Sequence, residues 1–312
     1  MRVCLFATGT GTSVGAYDEN GVVDLTGLAL LAGEAPPREP LDLLGPGPVS
    51  VRRRQAFEKL IQGIGRGSKR HAALIHNPDE VELRAPIPRP NKLLLLAGNY
   101  ADHIMEGGGQ APERLETFPY VFMKPASTAI NHPGAPIKLP AVSPDHVDWE
   151  VELGVVMGRT CRGIEPADAL NYVAGYTVVN DVSDREYKPN PNRKTRESDD
   201  FFDWLHGKWH DGFAPVGPCI TPTDEIGDVQ KLGLSTRVNG HLEQDSNTSH
   251  MIFSVADTIS FISQSVTLER GDIIATGTPA GVGAGKNKYL RSGDRVEVTI
   301  DKIGSLANYV IA

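Results

Sequence analysis

Asp148-Trp149-Glu150-Val151-Glu152-Leu153-Gly154-Val155-Val156, together with Asn180-Asp181 at the end of a second apolar run, decides how this chain is read. Polar and apolar residues alternate from Trp149 to Leu153, the pattern of a β-strand. A strand sends residues i and i+2 to one face. The Glu150 and Glu152 carboxylates therefore point one way, and Trp149, Val151 and Leu153 point the other, toward a core. Two like charges side by side are costly to bury unless a cation lies between them. Asp181 is a candidate third oxygen ligand. Three carboxylates with no neighbouring Cys or His suit a hard divalent ion, Mg2+ first, with Mn2+ or Ca2+ as alternatives. The competing reading is a pair of solvated acids on a half-exposed strand, where i, i+2 acids are common.

Outward from this strand, the chain beyond residue 91 consists of short apolar runs separated by Gly and Pro. The pattern predicts strands over 93–97, 151–157, 172–179 and 272–275, and a closing hairpin from 295–300 and 306–311. Pro166 marks the start of a short helix, and Ser254-Val255-Ala256-Asp257 starts a longer one that ends before Thr267. Toward the N-terminus, 2–7 reads as a strand, 9–15 as a turn-rich stretch, 21–25 as the returning strand and 35–48 as irregular. Phe57, Leu60, Ile61 and Ile64 fall at helical spacing within 51–64. Residues 76–90 are rich in proline, and Arg84-Ala85-Pro86-Ile87-Pro88-Arg89-Pro90 reads as a linker between a small N-terminal domain, 1–85, and a larger domain, 91–312. With no repeat and no strict βαβα alternation, a doubly wound sheet is not expected. Residues 186–207 form a polar insert ending in Phe201-Phe202-Asp203-Trp204: a lid, a dimer contact or a surface loop.

The chain has 312 residues, 40% of them hydrophobic, and a formal net charge of -8. That charge argues against nucleic acid as a partner and, more weakly, against anionic membrane surfaces. An anionic substrate would need local cations. The 3 cysteines, Cys4, Cys161 and Cys219, are widely spaced, as in a reduced cytoplasmic protein. No apolar run approaches the roughly 20 residues that span a bilayer, and no signal-peptide pattern is present. The expectation is a cytoplasmic protein with no membrane partner.

Two motif matches fail on context. Gly11-Thr12-Ser13-Val14-Gly15 fits G-x-S-x-G, but a turn follows where a nucleophile elbow or a dinucleotide loop needs a helix. Gly281-Val282-Gly283-Ala284-Gly285-Lys286-Asn287 departs from a P-loop at Ala280 and Asn287 and reads as a glycine turn. Other residues survive scrutiny. His103 and Glu106 are i and i+3, neighbours on a helical turn, where a carboxylate orients the ring and raises its basicity. Gly107-Gly108-Gly109 supplies a hinge for closing that turn over a substrate. The alternative is a surface histidine with a salt-bridge partner. Lys124 and Lys208 lie in apolar and aromatic contexts and are candidates for binding a substrate oxyanion or carboxylate, or for packing their stems on aromatics. The Thr276-Gly277-Thr278-Pro279 turn offers backbone N–H groups and the Thr278 hydroxyl to a carboxylate, or is an ordinary turn.

Seven pieces in order give 91–312 a resemblance to the fumarylacetoacetate hydrolase family: Asn99-Tyr100-Ala101-Asp102-His103, Phe122-Met123-Lys124-Pro125, Asp148-Trp149-Glu150-Val151-Glu152-Leu153, Asn180-Asp181-Val182-Ser183, Phe213-Ala214-Pro215-Val216-Gly217-Pro218, Arg237-Val238-Asn239-Gly240, and the run from Gly271 to Gly283. The resemblance implies a β-rich α+β fold, a mixed β-sandwich roll of stacked sheets with a small N-terminal domain. It implies Mg2+ or Mn2+ on Glu150, Glu152 and Asp181, and a homodimer. It makes His103 and Glu106 a water-activating pair on a mobile lid, and Lys208, Arg185 and Thr278 groups that meet the substrate, beside the Lys124 read above as a substrate-binding candidate. Lys188 stands where the family's Ser-x-Arg-Asp-x-Gln run has glutamine, an added cation on the substrate side. The implied activity is metal-dependent hydrolysis of a carbon–carbon bond in a 1,3-dicarbonyl acid of the acylpyruvate or fumarylpyruvate type. The alternative is metal-dependent decarboxylation or keto–enol isomerisation of a 2-oxo or 2-hydroxydienoic diacid in aromatic-compound catabolism. A catalytically silent binder of dicarboxylates is disfavoured by the complete set of candidate catalytic residues.

Overall fold

The Val151–Met157 strand is buried at every position, on both faces, because it lies inside the largest sheet. The computed structural model describes residues 1–9, 11–64, 72–77, 80–111, 114–190 and 192–312. Among the described residues a 12-stranded sheet has the main path Ile75–His76, Gly21–Asp24, Gly11–Asp18, Arg2–Thr8, Ala214–Pro222, Val173–Asn180, Val151–Met157, Ile273–Ala275, Leu93–Ala97, Tyr120–Met123. Neighbours along it are antiparallel except Ile273–Ala275 and Leu93–Ala97, which run parallel. A 5-stranded sheet, ordered His241–Asn247, Gly233–Val238, Arg295–Ile300, Gly304–Ile311, Ile137–Lys138, stacks on one face. Val151, Leu153 and Val155 of the large sheet join Val296, Val298 and Leu306 of the smaller one in a single apolar cluster. The stacked-sheet α+β architecture is therefore present, and Trp149, Val151 and Leu153 enter its core as the alternation requires.

The opposite face is covered from the N-terminal segment. Leu25 and Leu28 of the Leu25–Ala32 helix and Phe57 of the Pro48–Gln62 helix pack in a second cluster with Leu93, Leu95, Val156, Val179 and Ile273. The Arg2–Thr8 strand pairs with Ala214–Pro222 at Val3↔Ile220, and Leu83–Arg84 at the start of the proline-rich linker pairs back onto it. Residues 1–85 and 91–312 thus share one sheet and one apolar cluster.

Local expectations hold in part. The helix expected over 51–64 begins earlier, at Pro48, whose fixed φ suits the first helical position. Within 35–48 a short 3-10 helix forms over Pro40–Asp42. The turn-rich stretch expected over 9–15 is instead largely the Gly11–Asp18 strand, zipped along its length to Arg2–Thr8. Glycine suits that strand because a Cβ on Gly15 would fall 2.6 Å from Val22 Cγ1. Ser13 Oγ donates to Asp24 Oδ1 (2.5 Å), so it serves a strand contact. Position 10 of that stretch, 78–79 of the linker region and 191 of the insert lie outside the described residues. The insert contains the Asp199–Gly207 helix.

The Val255–Ser265 helix starts where its sequence signal placed it, with Ser254 and Asp257 closing a capping box. Ser254→Ala is expected to cost about 1 kcal/mol, read from the urea midpoint at unchanged slope. No helix among the described residues is long and apolar enough to cross a membrane.

Candidate active site

Strand register brings the three acids together. Val151 pairs with Asn180 and Glu152 with Val179, so Glu150 falls opposite Asp181 on the same face as Glu152. Asp181 N–H donates to Glu150 O (2.9 Å), and Glu150 N–H donates to Asn180 Oδ1 (3.0 Å). One carboxylate oxygen from each of Glu150, Glu152 and Asp181 lies within 4.8 Å of the others, and all three residues are buried. The half-exposed strand face of the competing reading does not exist.

Cations surround two of the acids. Lys208, at the end of the Asp199–Gly207 helix, donates to Glu150 Oε2 and Asp181 Oδ2, both 2.7 Å. Arg185 donates from Nη2 to Glu150 Oε1 (2.5 Å) and from Nε to Asp148 Oδ2 (2.9 Å). Burial opposes ionisation of Glu150, yet Lys208 and Arg185 outweigh it and hold this carboxyl at about 2. Burial likewise opposes the Lys208 charge, and Asp181 and Glu150 still raise its pKa. Glu152 is the exception. Burial, and then the Asp181 and Glu150 charges, push its carboxyl well above the usual range. Its Oε2 accepts from Gly277 N–H (2.8 Å), while Oε1 is buried with no donor among the described residues. A buried, partnerless oxygen in an all-carboxylate set is what a hard cation would satisfy, so these residues fit a divalent metal held by Glu150, Glu152 and Asp181.

His103 and Glu106 sit on the Ala101–Glu106 helix, which follows the Leu93–Ala97 strand. His103 Nδ1 approaches Glu106 Oε2 at 3.5 Å, a looser approach than a hydrogen bond. Both Glu106 oxygens accept from Gly281 N–H, at 3.1 and 3.0 Å. The same glycine turn donates from Gly283 N (2.7 Å) and Ala284 N (2.9 Å) to the two oxygens of Asp148. The segment that resembles a P-loop is thus a nest for the protein's own carboxylates. Gly281 has φ +101, and a Cβ on it would lie 2.1 Å from Glu243 O. Gly285 carries a different constraint: a Cβ there would lie 2.5 Å from the Glu106 carboxylate. Gly285→Ala is therefore expected to displace Glu106 and lower kcat about ten- to hundredfold with metal affinity unchanged, measured by steady-state kinetics and calorimetric metal titration.

His103, Glu106, Glu150, Arg185, Lys208 and Thr278 all line one cavity of about 590 Å3. Four candidates are not on that wall: Glu152 and Asp181, which cluster with Glu150 in the interior, and Lys124 and Lys188. Lys124 is fully buried, ion-paired to Asp181 and donating to Val182 O (2.8 Å) and Phe213 O (2.5 Å), so it fixes the Asp181 carboxylate. Burial lowers its pKa. Lys188 is exposed on the insert and is not among the residues that line the cavity. Thr278 Oγ1 accepts from Gln244 Nε2 (2.8 Å), whose Oε1 accepts from Val151 N–H (3.1 Å). Sequence reasoning assigned no role to Gln244, Asp148 or Trp204. Asp148 and Trp204 lie in stretches already singled out, but Gln244 carried no signal. Asn99, also unassigned, donates to Thr276 O (2.8 Å) and Phe253 O (3.1 Å), tying the base of the His103 helix to the Thr276–Thr278 turn.

Comparisons with known proteins bear on the family and the fold. The model described as fumarylacetoacetate (FAA) hydrolase C-terminal matches residues 92–311. The chain is 44% identical over 223 residues (70% of this chain, 73% of the relative) to a 2,4-didehydro-3-deoxy-L-rhamnonate hydrolase from Sphingomonas sp. (strain SKA58). It is 40% identical over 241 residues, 76% of each chain, to an oxaloacetate tautomerase of Bacillus subtilis (strain 168). A solved maleylpyruvate hydrolase from Sphingobium sp. SYK-6, in complex with manganese (II) ion and pyruvate, superposes with TM-score 0.74 at 30% identity, covering 100% of this chain and 99% of that one.

Proposed function

The chain belongs to the fumarylacetoacetate hydrolase family of enzymes, and on that premise we propose that it hydrolyses a carbon–carbon bond in a 1,3-dicarbonyl acid of the acylpyruvate type. The observation that carries this reading is the placement of His103 and Glu106 on the wall of the same cavity as Glu150, Arg185, Lys208 and Thr278. A divalent ion on Glu150, Glu152 and Asp181, Mg2+ or Mn2+, would supply Lewis acidity and a template for two adjacent substrate oxygens.

The chain's own residues account for the rest. Lys208 and Arg185 offset the charge of the 2-oxo acid end, and Thr278 offers its hydroxyl to it. Glu106 faces His103 Nδ1, leaving Nε2 to take a proton from water as the water oxygen attacks the acyl carbonyl carbon. The bond between that carbon and the central carbon then breaks, its electron pair going to the enolate of the leaving fragment. Lys208 opposes that developing charge, and His103 returns the proton to carbon. One water is consumed, and one carboxylic acid and pyruvate leave.

A second reading rests on the similarity to oxaloacetate tautomerases: keto–enol isomerisation or decarboxylation of a 2-oxo diacid by the same groups. Reaction in isotopically labelled water discriminates between them. Hydrolysis predicts pyruvate plus an acid carrying one labelled oxygen, in Mg2+- or Mn2+-supplemented assays of an acylpyruvate panel. Loss of enol absorbance with no acid product carrying a labelled oxygen would replace hydrolysis with the second reading. We also propose a homodimeric cytoplasmic enzyme, testable by the mass of the purified protein and by its cellular fractionation.

A further inference from the structure

We propose that the substrate's distal substituent is an uncharged aromatic or long apolar group, held in a groove that leads outward from the catalytic cavity past Phe122 and Trp204; this rests on the acylpyruvate reading above. The Phe122 and Trp204 rings meet edge to face with centroids 5.0 Å apart. Both stand over the reactive end of the site, with Lys208 Nζ at 5.5 Å from the Phe122 centroid and 6.0 Å from that of Trp204. A 2-oxo acid end held by Lys208 and Arg185 therefore lies beside these two rings, and a substituent running on from it passes them into the space beyond.

Beyond them the wall changes character. Ala97, Phe122 and Trp204 line both the catalytic cavity and a neighbouring groove of about 570 Å3. That groove is completed by Phe118, Tyr120, Phe201 and Phe261 among others, and no Asp, Glu, Lys or Arg lines it among the described residues. Phe201 lies against Trp204 (5.9 Å), and Phe118 stacks on Phe261 (6.0 Å, 16°). Phe118, Tyr120 and Phe201 are 58%, 64% and 56% exposed, respectively. So many exposed rings around one groove differ from the scattered apolar residues of an ordinary surface. Continuity with the cavity commits the groove to part of the same ligand. Its described wall offers no cation to a distal carboxylate and gains nothing from one, whereas apolar surface is favourably buried against these rings. Its rings offer offset and edge contacts to another ring.

The test compares benzoylpyruvate with acetylpyruvate on the Mg2+-loaded protein, for wild type and for the double variant Phe118→Ser/Phe261→Ser, whose two side chains lie in the groove and outside the catalytic cavity wall. The expected result is a kcat/KM at least about tenfold higher for benzoylpyruvate in wild type. The double variant loses most of that advantage and keeps acetylpyruvate turnover within about twofold. Turnover of both acids with equal kcat/KM in wild type would overturn the groove and leave the hydrolytic reading intact. Should neither acid be cleaved, the hydrolytic reading fails. Calorimetric titration of the same acids then tests the groove alone: tighter binding of benzoylpyruvate supports it, and equal affinity overturns it. A drop in assembly mass on Phe118→Ser/Phe261→Ser with the substrate preference unmoved would assign the groove to a second copy of the chain and overturn the proposal.

Discussion

His103→Ala is expected to lower kcat on a cleaved acylpyruvate by about 10²–10⁴, the usual worth of a positioned general base, while metal affinity survives. The separation of the two effects follows from the architecture. His103 sits on the Ala101–Glu106 helix and faces Glu106, which the Gly281 N–H holds. The three carboxylates are organised by the pairing of Val151–Met157 with Val173–Asn180, to which that helix contributes nothing. Removing the imidazole therefore takes away the proton acceptor and leaves the acidic cluster in place. Stopped kinetics beside a calorimetric Mn2+ titration would check this, and an unchanged kcat would eliminate His103 as the base.

Glu152→Gln is expected to weaken divalent-metal binding by more than about 100-fold, since losing even an outer-shell partner costs 10–100-fold. It is also expected to leave the metal-free fold at least as stable as wild type. The carboxyl of Glu152 is held well above the ordinary range by burial and by its acidic neighbours, so folding without metal takes up a proton there. The sign follows from linkage: on this group's account, metal-free stability falls as pH rises from about 4.3 toward the raised value. The amide removes that penalty, so the variant's advantage grows with pH through the same window. Thermal melts across pH, with and without Mg2+, read both effects, because a bound ligand raises Tm only where it binds. A variant that still shows the full metal-induced rise in Tm would remove Glu152 from the ligand set.

Much of this site was legible in the sequence, and the reason differs from residue to residue. The alternation around Glu150 and Glu152 reports a strand, and a strand's two-residue period settles that both carboxylates share a face. The spacing of His103 and Glu106 reports a helical turn, and the turn formed. Lys124 shows where such reasoning stops. Its apolar neighbours mark it as a buried lysine, but they do not say whether its ammonium faces the ligand or pairs with Asp181. The structure pairs it with Asp181, fully enclosed. Lys188, though close in sequence to Arg185, turns to the surface. The glycine turn at 281–285 carried a composition signal, yet its partners, Asp148 and Glu106, lie far away in sequence.

Periodicity, capping signals and residue chemistry are local properties, and by themselves they determined the Leu93–Ala97, Val151–Met157 and Val173–Asn180 strands, the Val255–Ser265 helix, the buried face of the Glu150 strand and the hard-ion character of its acids. Tertiary structure alone decided that Asp181 sits opposite Glu150, that Lys208 and Arg185 neutralise one acid and leave an oxygen of Glu152 without a partner, and that an aromatic groove opens beside the catalytic wall. Those outcomes depend on strand register and on the docking of the Asp199–Gly207 helix, which are set by contacts between residues far apart along the chain.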